Sequence, residues 1–305
     1  MTPAPIALFT YNRPVHTRKT VEALQKNKLS AQSDLIVFSD GPKEGGSGEQ
    51  IEQVRNYLKT IQHFNSVKIV ERKSNYGLSA NILDGVQQII SQYGKVIVME
   101  DDQVTSPFFL DFLNEGLRLY ENDENVISIM GHLYPVNEKL PETFFLRGAD
   151  CFGWATWKRG WDLFQPDGSL LLKRLIESKQ TKEFEFDGSY PFMQMLTDQI
   201  AGKTNSWAIR WHASAFLANK YTLYPGKSLL SNIGGDGSGT NHGFEYSSPA
   251  PIYPDPVNIS RIEVCQNAEA YQAFAGYYRK IAYPPLWNKI RRRLRIVLNK
   301  YLKVN

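Results

Sequence analysis

The chain has 305 residues, 42% of them hydrophobic and 22% charged, which gives it enough apolar material for one large domain or two small ones and makes it globular, not disordered. Its net charge of +4 is uneven: residues 286 to 305 carry Lys289, Arg291, Arg292, Arg293, Arg295, Lys300 and Lys303 and no acid, which leaves −3 for the rest and argues against a nucleic-acid partner. No apolar run reaches the length of a membrane span, the start lacks a basic-then-apolar leader, and the two cysteines, Cys151 and Cys265, show no metal-ligand or CxxC spacing, so the expectation is a cytoplasmic protein with free, buried thiols.

The first hundred residues alternate short apolar runs with helical patterns. "PIALFT" predicts a strand, and "NRPVHTRKTVEALQKN" a helix with Pro14 in its first turn and Val15, Val21 and Leu24 on one face. "DLIVFSD" predicts the second strand, "IEQVRNYLKTI" a helix facing inward through Ile51, Val54, Leu58 and Ile61, and "VKIVER" the third strand. "LSANILDGVQQIISQYG" spaces Leu78, Ile82, Val86 and Ile89 or Ile90 helically and stops at Gly94, a good C-cap. "KVIVME" is the fourth strand. Such alternation predicts an α/β fold, a mostly parallel sheet flanked by helices.

In sheets of this kind ligands bind beyond the carboxyl ends of the strands. The predicted ends collect Thr10, Asn12 and Arg13, then Asp40, then Arg72, Asn75 and Gly77, and finally three consecutive carboxylates, Glu100, Asp101 and Asp102. An acidic triplet where a strand leaves the core suits a hard divalent cation, Mn²⁺ or Mg²⁺, which prefers oxygen ligands and keeps positions open for substrate phosphates. The basic and amide neighbours suit the rest of a nucleoside diphosphate. Ser106 and Pro107 predict the cap and first turn of a following helix, "PFFLDFLNEGLRLYEN", which would hold the acidic loop between two rigid elements.

Together "ALFTYNRP", "VFSDGP", "SNYGLSANI" and "VMEDDQVTSPFFLDFL", followed by "DCFGWATWKRGW" and "SLLSNIGGDGSGTNH", resemble the nucleotide-sugar glycosyltransferases of the GT-A fold, in particular the bacterial family 2 type. The acidic "EDD" and the glycine and tryptophan segment are also similar to the inverting N-acetylglucosaminyltransferase I group. The resemblance covers residues 5 to 245. It implies a GT-A (Rossmann-like) domain over 1–250, with a nucleotide half at 1–104 and an acceptor half at 105–250, and an extension over 251–305. It implies that Asp40 contacts the nucleotide base, that Asn12 and Arg13 line the nucleotide pocket, and that Asp102 holds the metal; Thr10, Arg72, Asn75 and Gly77 join that pocket by their place at the strand ends. Asp101 and Glu100 would touch ribose or sugar hydroxyls. The partners implied are a nucleotide-sugar donor, UDP-linked by family habit, and a glycan or lipid-linked sugar acceptor.

Inverting transfer needs a carboxylate that takes the acceptor's proton. Asp198 in "QMLTDQIAG" is the choice the resemblance favours, since the family's run places an acid before a Ser-Trp strand; Asp187 is the rival, with Glu183 and Glu185 behind. Trp154 is a natural platform for a sugar face and Gly153 beside it would allow close approach to the donor sugar, while Trp157 and Trp161 are assigned to packing. Five glycines between residues 234 and 243 suit a lid, which brings Asp236 toward the acceptor and His242 toward the metal, whereas His212 reads as structural. In the last segment Leu286, Ile290, Leu294, Val297 or Leu298, and Tyr301 recur at helical steps with cations around them, the pattern of an amphipathic helix on an anionic membrane. That pattern predicts a peripheral enzyme at the inner face of the cell membrane.

Rival enzymes fit the motifs poorly. A haloacid-dehalogenase phosphotransferase needs Asp-x-Asp after the strand, a sugar-nucleotide pyrophosphorylase needs a glycine-rich, arginine-containing loop after the first strand, and a dinucleotide oxidoreductase needs GxGxxG. A non-catalytic nucleotide-sugar or carbohydrate-binding protein on the same fold stays compatible with every motif.

Overall fold

The computed structural model of the protein describes residues 2–46, 48–236 and 250–283. His242 and the basic segment from 286 onward lie outside them. The four predicted strands form as β1 (Ile6–Thr10), β2 (Asp34–Ser39), β3 (Ser66–Glu71) and β4 (Lys95–Glu100), joined by helices α1 (Pro14–Gln25), α2 (Glu49–Leu58) and α3 (Leu78–Tyr93). All four pair in parallel, in the order β3-β2-β1-β4. Pro14 takes the first position of α1, and Gly94 ends α3 in the left-handed region at φ 75°.

The chain continues through β5 (Gln103–Thr105), α4 (Phe109–Leu119), β6 (Val126–Met130), β7 (Thr143–Arg147), β8 (Trp154–Trp157) and α5 (Lys158–Trp161). Then follow α6 (Gly168–Ser178), α7 (Thr181–Phe184), α8 (Phe192–Ile200), α9 (Trp207–Leu217), β9 (Tyr221–Pro225), β10 (Leu230–Asn232) and α10 (Ala268–Ala282). The result is a mixed α/β architecture around an eight-stranded sheet, β3-β2-β1-β4-β8-β6-β9-β7, with β5 and β10 as a separate antiparallel pair. In the large sheet only β8 and β7 run against the rest.

Both sheet faces are buried, which is why the first strands read as continuous apolar runs. Ile6, Leu8, Leu35, Val37, Ile97 and Met99 face a core shared with Val21, Leu24, Val54, Phe109 and Leu113. Their neighbours Ala7, Phe9, Ile36, Phe38, Val96 and Val98 face the other core, with Ile82, Val86, Trp211 and Phe274.

Several expectations need correction. Val15 and Leu78 belong to the predicted helix faces by spacing but are 61% and 39% exposed, each standing in the first turn of its helix. The helix after the triplet starts at Phe109, not Pro107, since the chain first returns as β5 and then turns, the Phe109 amide donating to Ser106 O. The Ser-Trp segment is a helix, α9, whose N-cap Ser206 accepts from the Ile209 amide. Both cysteines are free, but Cys265 is exposed and Cys151 only half-buried. Among the described residues no helix is long and apolar enough to cross a membrane.

Candidate functional site

Parallel pairing puts the carboxyl ends of β1, β2, β3 and β4 on one edge, and β1 lies directly beside β4 with Phe9 opposite Glu100. Arg13, at the N-terminus of α1, therefore reaches the triplet: its guanidinium pairs closely with Asp101 and donates to Asp102 at 3.0 Å. Asp101 and Asp102 are 3% and 8% exposed. Burial, then the charges of Asp102 and Asp101, push the Glu100 carboxyl up to about 8. Burial also raises Asp101, against the pull of Arg13. One guanidinium faces three carboxylates, and Asp101 Oδ2 is buried without a hydrogen-bond partner. A divalent cation fits this donor set: it would complete the charge balance and use the orphaned oxygen. Among the described residues no three side chains already converge as ligands, so a cation held here would draw its remaining ligands from substrate phosphates and water, as Mg²⁺ commonly does.

The segment after β10 lies against the same carboxylates. Asn232 Nδ2 donates to Asp102 Oδ1 at 3.2 Å, the Ile233 amide donates to Asp102 O, and Gly234 is packed so close to Asp102 and Arg13 that no Cβ would fit. Two residues on, Asp236 stands 3.4 Å from His16 Nε2 of α1. Asp236 thus sits beside the triplet side of the sheet edge. Thr10, at the end of β1, is 3% exposed and its Oγ1 has no hydrogen-bond partner, while Asn12 is half-buried next to Arg13.

Asp40 does something other than what the resemblance implies. Its Oδ1 accepts from the amides of Gly41 and Tyr76, both at 2.8 Å, and its Oδ2 accepts from the Gly77 amide at 2.9 Å and Asn75 Nδ2 at 3.0 Å. A carboxylate has about four lone-pair sites, so all are used. Asp40 builds the 75–77 turn and has no capacity left for a nucleotide base. Arg72, 9% exposed, is also internal: it donates to Asn81 Oδ1 at 3.0 Å and pairs closely with Asp84. Gly77 takes φ 74° at the N-cap of α3, which explains the glycine.

The donor-sugar residues also change role. Trp154 is fully buried and stacks with Trp207, centroids 5.6 Å apart, and packs on Trp161 and Trp211, so it cannot offer a face to a sugar. Gly153 has φ 60°, and the space where a Cβ would go is filled by Leu230 and Phe109, so it serves packing and not substrate approach. Asp198 lies on α8, which packs on α6, α7 and α9. Its carboxylate bonds Gln194 and Lys203, both at 3.0 Å, and these bonds lower its pKa; neither partner belongs to the strand edge. Asp187 interacts with Tyr271 of α10. His212 is buried and held neutral, with Nδ1 against Ala149 O at 3.0 Å, a structural role as expected.

Sequence reasoning passed over Asp150. The antiparallel register places Val98 opposite Trp154, so the residues preceding β8 run beside the last residues of β4. Asp150 in this loop is half-buried, accepts from Tyr134 Oη and the Cys151 amide, both at 2.8 Å, is bonded as well by the Tyr224 hydroxyl and the Cys151 thiol, and has a pKa raised first by burial. Asp150, Glu100 and Asp102 all raise the neighbouring Cys151 thiol, which sets Asp150 on the triplet side of the sheet. The signal was available as an acid just before "CFGW".

No family model matches the chain, and no curated protein matches it. Among solved structures it is similar to the mannosyltransferase PcManGT from Pyrobaculum calidifontis in complex with GDP-Man and Mn²⁺, at 12% identity and a TM-score of 0.34 over 44% of this chain and 36% of that one. It is also similar to TarS of S. aureus, at 13% identity and a TM-score of 0.32 over 48% of this chain and 24% of that one. The chain thus spans well under half the length of these two structures.

Proposed function

We propose that the protein is a glycosyltransferase that moves a sugar from a nucleotide-sugar donor, UDP-linked in the first instance, to a hydroxyl of a glycan or glycolipid, with inversion and with Mn²⁺ or Mg²⁺. One observation carries the reading: Glu100, Asp101 and Asp102 leave the sheet at the end of β4, facing Arg13 across β1, where α/β folds bind phosphorylated ligands. Asp102 would hold the cation, which when bound neutralises the departing diphosphate. Arg13, already paired with two carboxylates, would donate to a phosphate oxygen of the donor. We assign proton acceptance to Asp150 instead of Asp198: its carboxyl lies on the triplet side and burial raises its pKa against the pull of the Tyr134, Tyr224 and Cys151 groups bonded to it, whereas bonds from Lys203 and Gln194 lower the pKa of Asp198. The acceptor in this reading is lipid-linked and belongs to bacterial surface polysaccharide assembly, with the basic segment 286–305 holding the enzyme on the membrane.

The test is calorimetric titration with UDP, GDP and dTDP, with and without Mn²⁺, followed by assay of nucleoside diphosphate release from the matching sugar nucleotides. Wild type should bind one nucleotide in a Mn²⁺-dependent way, and Asp102→Ala should abolish that dependence. Asp150→Asn should keep binding and lose transfer by a factor on the order of 10² to 10⁴, while Asp198→Asn keeps both. Equal Mn²⁺-dependent affinity in wild type and Asp102→Ala would refute the metal assignment, and absence of any nucleotide binding would refute the function.

A further inference from the structure

The 75–77 turn carries a ring whose setting the nucleotide site does not otherwise explain. Tyr76 is 46% exposed, yet its backbone is fixed on all sides: its own amide and those of Gly77 and Gly41 donate to Asp40, together with the Asn75 side chain. The Asn75 amide adds a bond to Pro42 O. Beneath the ring lies the Arg72 guanidinium, 4.5 Å from the Tyr76 centroid and 5.3 Å from that of Phe38. Arg72 is in turn fixed by Asn81 and Asp84. Phe38, Arg72 and Tyr76 thus form a stack that rises out of the core and ends in an aromatic ring with one face covered and the remainder open to solvent.

A large aromatic side chain left in water costs free energy, and a mobile turn would fold it back onto the surface. Here four hydrogen bonds to a buried carboxylate prevent that. The cation below the ring contributes a further attraction. The turn is bonded to the end of β2, two strand spacings from β4, or roughly 10 Å from the acidic triplet. An extended nucleoside diphosphate whose phosphates lie at the triplet would place its base in that neighbourhood.

We propose that Tyr76 is the stacking platform for the nucleobase of the donor, and that Asp40 and Arg72 act through it as positioning residues. This rests on the nucleotide-sugar reading above. Stacking explains why Asp40 can spend every lone pair on the turn: the base is held by its face, and the carboxylate serves the platform.

The experiment compares wild type, Tyr76→Ala and Tyr76→Phe by calorimetric titration with UDP, GDP, dTDP and inorganic pyrophosphate, all at saturating Mn²⁺. Tyr76→Ala should weaken the preferred nucleotide by roughly 5- to 150-fold, the worth of one base stack, and leave pyrophosphate affinity unchanged. Tyr76→Phe should restore nucleotide affinity to within about threefold, since the face and not the hydroxyl does the binding. Equal nucleotide affinity in wild type and Tyr76→Ala would overturn the proposal. So would a parallel loss of pyrophosphate affinity, which would make Tyr76 a part of the turn's structure only. If wild type binds pyrophosphate but no nucleotide, Tyr76 has no base to stack, and if it binds neither, the functional reading fails first.

Discussion

Glu100 sets a measurable pH dependence. Its carboxyl titrates at 4.5 in an unstructured chain and at about 8 where burial, Asp102 and Asp101 raise it. Between those values the folded protein holds a proton that the unfolded chain has released, so the linkage slope is negative and stability falls as pH rises. The buried His132 and His212, both held neutral by burial, act with the opposite sign but only below their ordinary value of 6.5. The window from pH 6.5 to 8 therefore isolates the carboxylates. In metal-free buffer the melting temperature should fall across that window; Glu100→Gln should flatten the slope, and Mn²⁺ should offset it. A wild-type profile as flat as that of Glu100→Gln would remove the electrostatic account of the triplet. These carboxylates were legible in the sequence because a strand end and three acids are adjacent in the chain. The role of Asp40 was not, because three of its four donors come from residues 75–77, some 35 positions later.

The elements divide in the same way. β1, β2 and β4 could be read off directly, since strands buried on both faces form unbroken apolar runs, and the half-exposed edge strand β3 by its place between helices of clear period. "WATWKRGW" could not, because its tryptophan spacing of three and four suggests one helical face, whereas the chain is extended through Trp157 and helical only after it. Residues three apart on a strand point to opposite faces, so Trp154 joins the core of α9 and α10 and Trp157 that of α4. Trp154 packs there with three other indoles. Replacing it by Ala should cost about 3–5 kcal/mol, the usual range for a buried aromatic. Urea unfolding measures this, and a loss under about 1 kcal/mol would mean the indole is not core. Ser206→Ala, which removes the cap of α9, should cost about 1 kcal/mol by the same measurement.

At the scale of the whole molecule, the division of charge is the feature left to explain. Residues 286 to 305 hold seven cations and no acid, and the remainder is net −3. α10 buries Tyr271, Phe274, Tyr277 and Tyr278 in the core next to Tyr134 and Phe144, and the chain reaches the surface at Tyr283, which is 58% exposed. Every element among the described residues ends before Tyr283, so a protein ending there retains all of them. Near an anionic leaflet each Lys or Arg contributes about 1 kcal/mol, and the apolar positions from Leu286 to Tyr301, spaced for one helical face, would enter the interface. Screening weakens the charge contribution, as the Debye length shrinks from about 10 Å at 0.1 M salt to about 3 Å at 1 M. The 305-residue protein should sediment with liposomes containing anionic lipid at low salt, detach in large part at 1 M salt, and ignore neutral liposomes. The protein ending at Tyr283 should stay in the supernatant throughout while releasing nucleoside diphosphate from the sugar nucleotide at the rate of the 305-residue protein. Sedimentation of both proteins to the same extent would place any membrane contact on the body instead of the basic segment.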